Sequence, residues 1–411
     1  MLLMVTALVM LLGCGSHQQH GSSHRPQAVG GTRQRQSSTT GAKPIGRCVG
    51  DALGSRQQRN LRGRVSNGKI AFNGIIRTRS VDYYDIYVAD EDGTDETRLT
   101  HDPSYDDSPI WPPDGEKIAF VKTRNPRGNA VYTINADGTD ETRLTGYERG
   151  VARPAWSPDG DKIAFIGILS GHPEIYVMDA DGTEETRLTT VNPGQNETIR
   201  RGPPVWSPDG NKIAFASTTL TTEKISETAS ASSVEASSSP GEGTGIYVVN
   251  SDGTDMCKLT SISHIPFPFS EPPSFAPVWS PDGNKIAFYE HPFIYVINAD
   301  GTGRKELLDT GIDGNVLAWS PDGQRIAFAK GLDFSNLYTI NADGTGLTPL
   351  TDTRGQEEGF PTWSPDGNKI AFLSGHNPAR AELYVIDADG TDRTRVAGNV
   401  VPTKLPSWGR E

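Results

Sequence analysis

The stretch VWSPDGNKIAF, Val205–Phe215, returns letter for letter at Val278–Phe288. Its middle reads as a turn. Ser207 stands at the first corner position, Pro208 at the second and Gly210 at the fourth, the residues a type I turn favours. Its end, Ile-Ala-Phe, reads as a strand, because β-branched and aromatic side chains suit a covered, pleated surface. Lys/Arg-Ile-Ala-Phe occurs seven times, starting at Lys69, Lys117, Lys162, Lys212, Lys285, Arg325 and Lys369. Each copy is followed by an apolar-aromatic run, such as IYVMDAD from Ile175 or LYTINAD from Leu337, and then by an Asp-Gly turn and a run like TRLT. Asp-Gly is a strong hairpin signal because Gly accepts positive φ. The repeat is therefore four short strands, named below the Trp, Phe, Tyr and fourth strands.

The seven copies are spaced by 48, 45, 50, 73, 40 and 44 residues. A four-stranded repeat of about 40–45 residues is a propeller blade. All seven tryptophans (Trp111, Trp156, Trp206, Trp279, Trp319, Trp363 and Trp408) fall on the Trp strand. The first Ile-Ala-Phe has Gly63 where a Trp is due, and Trp408 has no Ile-Ala-Phe after it. One incomplete unit at each end makes one whole blade. The expectation is an all-β, seven-bladed propeller of four-stranded antiparallel blades over residues 65–411. The C-terminal strand joins the first blade and removes the open edge that a sheet must otherwise protect.

The formal charge is −12, but residues 15–64 hold nine Lys/Arg against the single acid Asp51, so residues 65–411 carry −20. An acidic globule is a poor nucleic-acid ligand, since neutralising phosphates needs clustered cations on the folded face. Residues 15–64, rich in Ser, Gln, Gly and Arg, read as a disordered basic tether. Residues 1–14, MLLMVTALVMLLGC, are too short to span a bilayer, which takes about 20 residues. They fit the apolar part of a secretory signal, although no Lys or Arg precedes the run. The Leu11-Leu12-Gly13-Cys14 ending resembles a bacterial lipobox, which implies a lipid anchor on Cys14. Cys48 and Cys257 are left over, and sequence does not say whether they pair.

The recurring WSPDGxKIAF resembles the TolB-type, or WD40-like PD40, propeller repeat, over roughly residues 66–411. That resemblance implies a propeller in the cell envelope or periplasm. TolB itself pairs a smaller α/β domain with six blades. This chain has a tether and seven units instead, so TolB's partners do not transfer.

In such a disc the short SPDG and ADGT turns share one face, and the connections between Phe and Tyr strands share the other with those leading to the next Trp strand. The second set varies: HDPSYDDSPI (101–110), GYERGVARPA (146–155), 191–205 and 261–278. Binding loops on a rigid scaffold are where function usually sits. The candidate partner contacts are Tyr105, Asp106, Asp107, Arg153, Arg200, Arg201, Phe275, Asn315 and Phe360. Residues 216–245, dominated by Ser, Thr, Ala and Glu, read as a flexible insertion.

Chemistry is scarce. The Asp-x-Asp-Gly-Thr runs lack the length and the terminal Glu of a calcium loop. His172, His291 and His376 sit in the third, fifth and seventh units. No Gly-x-Ser-x-Gly elbow and no phosphate-binding loop occurs. The expectation is a non-catalytic, monomeric scaffold binding an envelope protein or glycan, with no cofactor, no metal and no nucleic acid. The alternative is a propeller-type uronate lyase or hydrolase with a metal in the channel.

Overall fold

In the computed structural model the chain divides into Met1–Pro44 and Ile45–Glu411. The structure describes Gly46–Arg47 and residues 67–410, apart from 79–81, 125, 148–149, 170, 191–196, 222–242, 263–275, 312–315, 332–333, 378–379 and 403–404. The signal and lipobox reading, most of the tether, Cys14, Cys48, Phe275 and Asn315 lie outside the described residues.

Every element among the described residues is a strand. The unit expected from sequence is plain at Val278–Trp279, Lys285–Glu290, Phe293–Asn298 and Lys305–Asp309, hydrogen-bonded in that order. It recurs through the chain, and residues 407–410 pair antiparallel with 67–76, Ile70 opposite Trp408. A single bridge, Gly74 to Val400, links that sheet to the sheet of residues 357–400.

Register is the same throughout. The Phe of Ile-Ala-Phe faces the Tyr of the next strand: Phe72–Tyr87, Phe165–Tyr176, Phe215–Tyr247 and Phe288–Tyr295, with ring centres 5.6–5.7 Å apart. The Ile and Ala beside each Phe point to opposite faces, and both are buried. A strand covered on both faces needs such an unbroken apolar run. Seams between units are tied by tryptophan. The indole N–H of Trp156, Trp206, Trp279, Trp319 and Trp363 donates to the carbonyl just before the preceding unit's Trp, at Ile110, Ala155, Val205, Val278 and Ala318, over 3.0–3.2 Å.

The turns repeat too. In the SPDG turn the Ser157 hydroxyl donates to Asp159 and accepts the Lys162 amide. In the Asp-Gly-Thr turn Asp181 Oδ1 accepts both the amide and the hydroxyl of Thr183, at 2.9 and 2.6 Å. These bonds hold the Asp181 carboxyl below its ordinary range, and the same holds for Asp92, Asp137, Asp252, Asp300, Asp343 and Asp389. The carboxylate that resembled a calcium ligand is thus engaged by its own turn.

Several stretches read as loops are strands. Tyr105–Ile110, Val151–Trp156 and Glu197–Arg201 pair with the extended Phe strands 117–124, 162–169 and 212–221. The insertion is correspondingly shorter than 216–245, because strands run to Thr221 and resume at Gly245. Gly46–Arg47, assigned to the tether, lies parallel beside Cys257–Lys258. Cys257 is disulfide-bonded.

Candidate functional site

Three of the Trp strands are bulged where they continue from the variable connections. Ser108, Arg153 and Phe360 each stand three residues before a Trp, with left-handed φ of 55°, 57° and 58°. Pairing slips at each of these places. Bulges re-aim side chains, and left-handed backbone at a non-glycine residue is a strain that packing must hold. Two of the three bulge residues, Arg153 and Phe360, are candidates from sequence. Both are half-buried.

The other candidates divide. Tyr105 is half-buried and packs edge-on against Tyr84, 5.5 Å between ring centres. Asp107 accepts the Ser108 hydroxyl, and Arg200 is exposed. Asp106 and Arg201 are buried, which takes them out of direct reach of a macromolecular partner. Arg201 joins Glu174 of the preceding unit at 3.1 Å and also bonds the Pro173 carbonyl. Asp106 accepts the Ser104 hydroxyl at 2.8 Å, while its Oδ2 has no hydrogen bond and lies 3.7 Å from the Lys122 ammonium. Burial pushes its carboxyl up to about 7 against the pull of Lys122. Lys122, itself buried, bonds Asp102 and Glu141 and lies over the Phe120 and Tyr132 rings. Related pairs join Glu290 to Arg304 and Glu358 to Arg393. Sequence could not distinguish these members of buried networks from free surface groups.

Sequence also missed an open pocket of about 800 Å³. Residues 309–311, 330–331, 334, 336, 338 and 352–355 line it. These segments follow a fourth strand, join a Phe strand to a Tyr strand, and follow the next fourth strand. All belong to the variable set of connections. Phe334 on its wall is 48% exposed. Among the described residues, the Tyr338 hydroxyl, the Asp352 carboxylate and the Arg354 guanidinium have no hydrogen-bond partner. His172 and His291 fall in separate units, and His291 bonds the Tyr289 hydroxyl. Among the described residues no group of three or more His, Cys, Asp or Glu is placed to hold a metal.

Repeated four-stranded sheets joined by uniform turns define a β-propeller repeat protein. The TolB beta propeller domain matches residues 77–257 and 245–410, and the chain belongs to that family. Among solved structures, TolB from Acinetobacter baumannii is 19% identical, with 82% of each chain covered and a TM-score of 0.49. An oligogalacturonate lyase in complex with manganese is 15% identical over 82% of this chain and 86% of its own, TM-score 0.55. A puromycin hydrolase is 13% identical over 82% of this chain and 54% of its own, TM-score 0.57. At these identities the likeness is one of fold. No curated protein matches the chain.

Proposed function

We propose that the seven units close into one seven-bladed ring, and that this ring is a non-catalytic binding scaffold of the cell envelope. Its variable-loop face holds a protein or glycan partner, and the exported chain is anchored by lipid on Cys14. The pairing of residues 407–410 with 67–76 supports the closure. The observation that carries the binding reading is the contrast between connections. One set repeats the same hydrogen bonds unit after unit, while the other holds the bulges at Ser108, Arg153 and Phe360 and the open pocket. Binding residues on a rigid scaffold usually sit on such irregular connections.

The test is crosslinking of the full chain in envelope preparations. A form with Tyr105, Asp107, Arg153, Arg200 and Phe360 changed to Ala should lose the adducts that wild type forms. A form altered at the exposed turn residues Asp161 and Asn211 should keep them. Equal yields from both forms would sink the placement of the site. Cys14→Ser should leave the membrane fraction and carry no fatty acid. Metal analysis checks the lyase or hydrolase alternative. A stoichiometric transition metal, lost on changing His172 or His376, would move the function there.

A further inference from the structure

The pocket lies where a device seen in three other units is left incomplete. In three units two positions close a slot over the Phe–Tyr pair: the second residue after the Phe, and the third after the Gly of the Asp-Gly turn. The first, third and fourth units have Gly74 and Glu96, Gly167 and Glu185, and Ser217 and Met256 there. In the second unit these are Lys122 and Glu141, bonded at 2.6 Å, with the ammonium 5.3 Å from the Tyr132 ring centre. In the fifth they are Glu290 and Arg304, bonded to each other, with the guanidinium 4.2 Å from the Tyr295 ring centre. In the seventh, Ser374 and Arg393 are 3.2 Å apart, Glu358 backs the pair, and the guanidinium is 4.1 Å from the Tyr384 ring centre. A cation held over an aromatic face satisfies itself and covers the ring.

In the sixth unit the same two positions are Lys330 and Leu347. Leu347 offers no partner and is 41% exposed. Lys330 turns instead to the Asp309 carbonyl, at 2.6 Å. The Phe328–Tyr338 pair, 6.2 Å between centres, is left without its cover, and the pocket opens there.

We propose that this pocket is a saccharide subsite that takes a neutral hexose unit of a glycan. The proposal deepens the binding-scaffold reading and rests on it for the choice of face. Three observations select the ligand. First, Tyr338 and the exposed Phe334 line the pocket, and the apolar face of a pyranose packs on such rings. Second, charge argues against ions. Lys330 stands where the fifth unit has Glu290, so the carboxylate that welcomed a guanidinium is replaced by a like charge. Asp309 and Asp352 balance Lys330 and Arg354, so an anion gains no net attraction either. Third, Asp352, Arg354 and the Tyr338 hydroxyl present both acceptors and donors, as orienting several hydroxyl groups requires.

The experiment is titration calorimetry of the full chain with neutral hexaoses (cellohexaose, maltohexaose, chitohexaose and mannohexaose), and with a galacturonate hexamer and an arginine-rich peptide as charged contrasts. At least one neutral hexaose should bind. Leu347→Glu recreates the pairing seen between Lys122 and Glu141, draws Lys330 over Tyr338, and should weaken binding about tenfold or more while leaving thermal stability unchanged or raised. Phe334→Ala, at an exposed position, should weaken it similarly. The inference is overturned if no neutral hexaose binds at 10 mM, if binding is unchanged in both variants, or if the charged probes bind in preference. If those failures occur while envelope adducts still depend on Tyr105, Arg153 and Phe360, the saccharide subsite falls and the binding scaffold stands.

Discussion

The seams between the middle units and the seam beside the unit built from both chain ends obey different rules. Between middle units each indole N–H finds the preceding unit's carbonyl, from Trp156 through Trp363. At the composite unit the relay stops. Trp408 donates instead to Gly68 in the adjacent strand, and the Trp111 indole N–H is buried without a partner. Asn73 Oδ1 and Asp106 Oδ2 are unpartnered in the same neighbourhood, where the Asn73 amide donates to the Asp106 carbonyl. The cause is local. A register slip between Asn67 and Ile70 shifts strand 407–410, and the Ser407 hydroxyl takes the Trp111 main-chain N–H. The standard joint is thus lost where strand 407–410 pairs with strand 67–76.

The largest effect is expected from removing residues 405–411. Strand 67–76 would lose a neighbour, and buried Ile70 and Trp111 would lose cover. The expected outcome is loss of a cooperative urea transition, or a midpoint far below that of wild type. A midpoint within error of wild type would mean that the composite unit contributes little. Next, Trp279→Ala in a middle seam should cost about 3–5 kcal/mol by urea unfolding, the range for emptying a large aromatic site.

A third effect belongs to pH. Burial holds the Asp106 proton to about pH 7, whereas its ordinary value is 3.8. Between those values the folded chain binds the proton and the unfolded chain does not, so this group's contribution to stability falls as pH rises from about 4 to about 7. Asp106→Asn should remove that fall, read as the difference in unfolding free energy between variant and wild type across pH 4–8. Parallel curves would show that the group stays ionised. The smallest and sharpest test is a pair. Trp279→Phe deletes a hydrogen bond and should cost about 1 kcal/mol beyond the lost ring area. Trp111→Phe deletes an unmet donor and should cost less. Equal costs would erase the distinction between the seams.

The sequence made the regular features readable because side-chain type alone decides them. Ile-Ala-Phe marks a doubly covered strand, Asp-Gly its hairpin, and Trp the seam. The candidate site was readable only in part. Nothing in the letters of Asp106 or Arg201 says that an extended strand will bury them, and left-handed backbone at Ser108, Arg153 and Phe360 has no glycine to announce it. The pocket was harder still, because it comes from what Leu347 fails to do. Its signal was present, though: TGLTPLT in the sixth unit against TGRKELL and TDRTRVA in its neighbours.

Strand 407–410 also sets a condition on biosynthesis. Residues 67–98 leave the ribosome first among the described units, yet their sheet stays one strand short until more than three hundred further residues have been made. Contacts so distant along the chain are slow to form. During that interval the exposed edge of 67–76 invites pairing with other nascent chains, and a holding chaperone would have its strongest reason to act there.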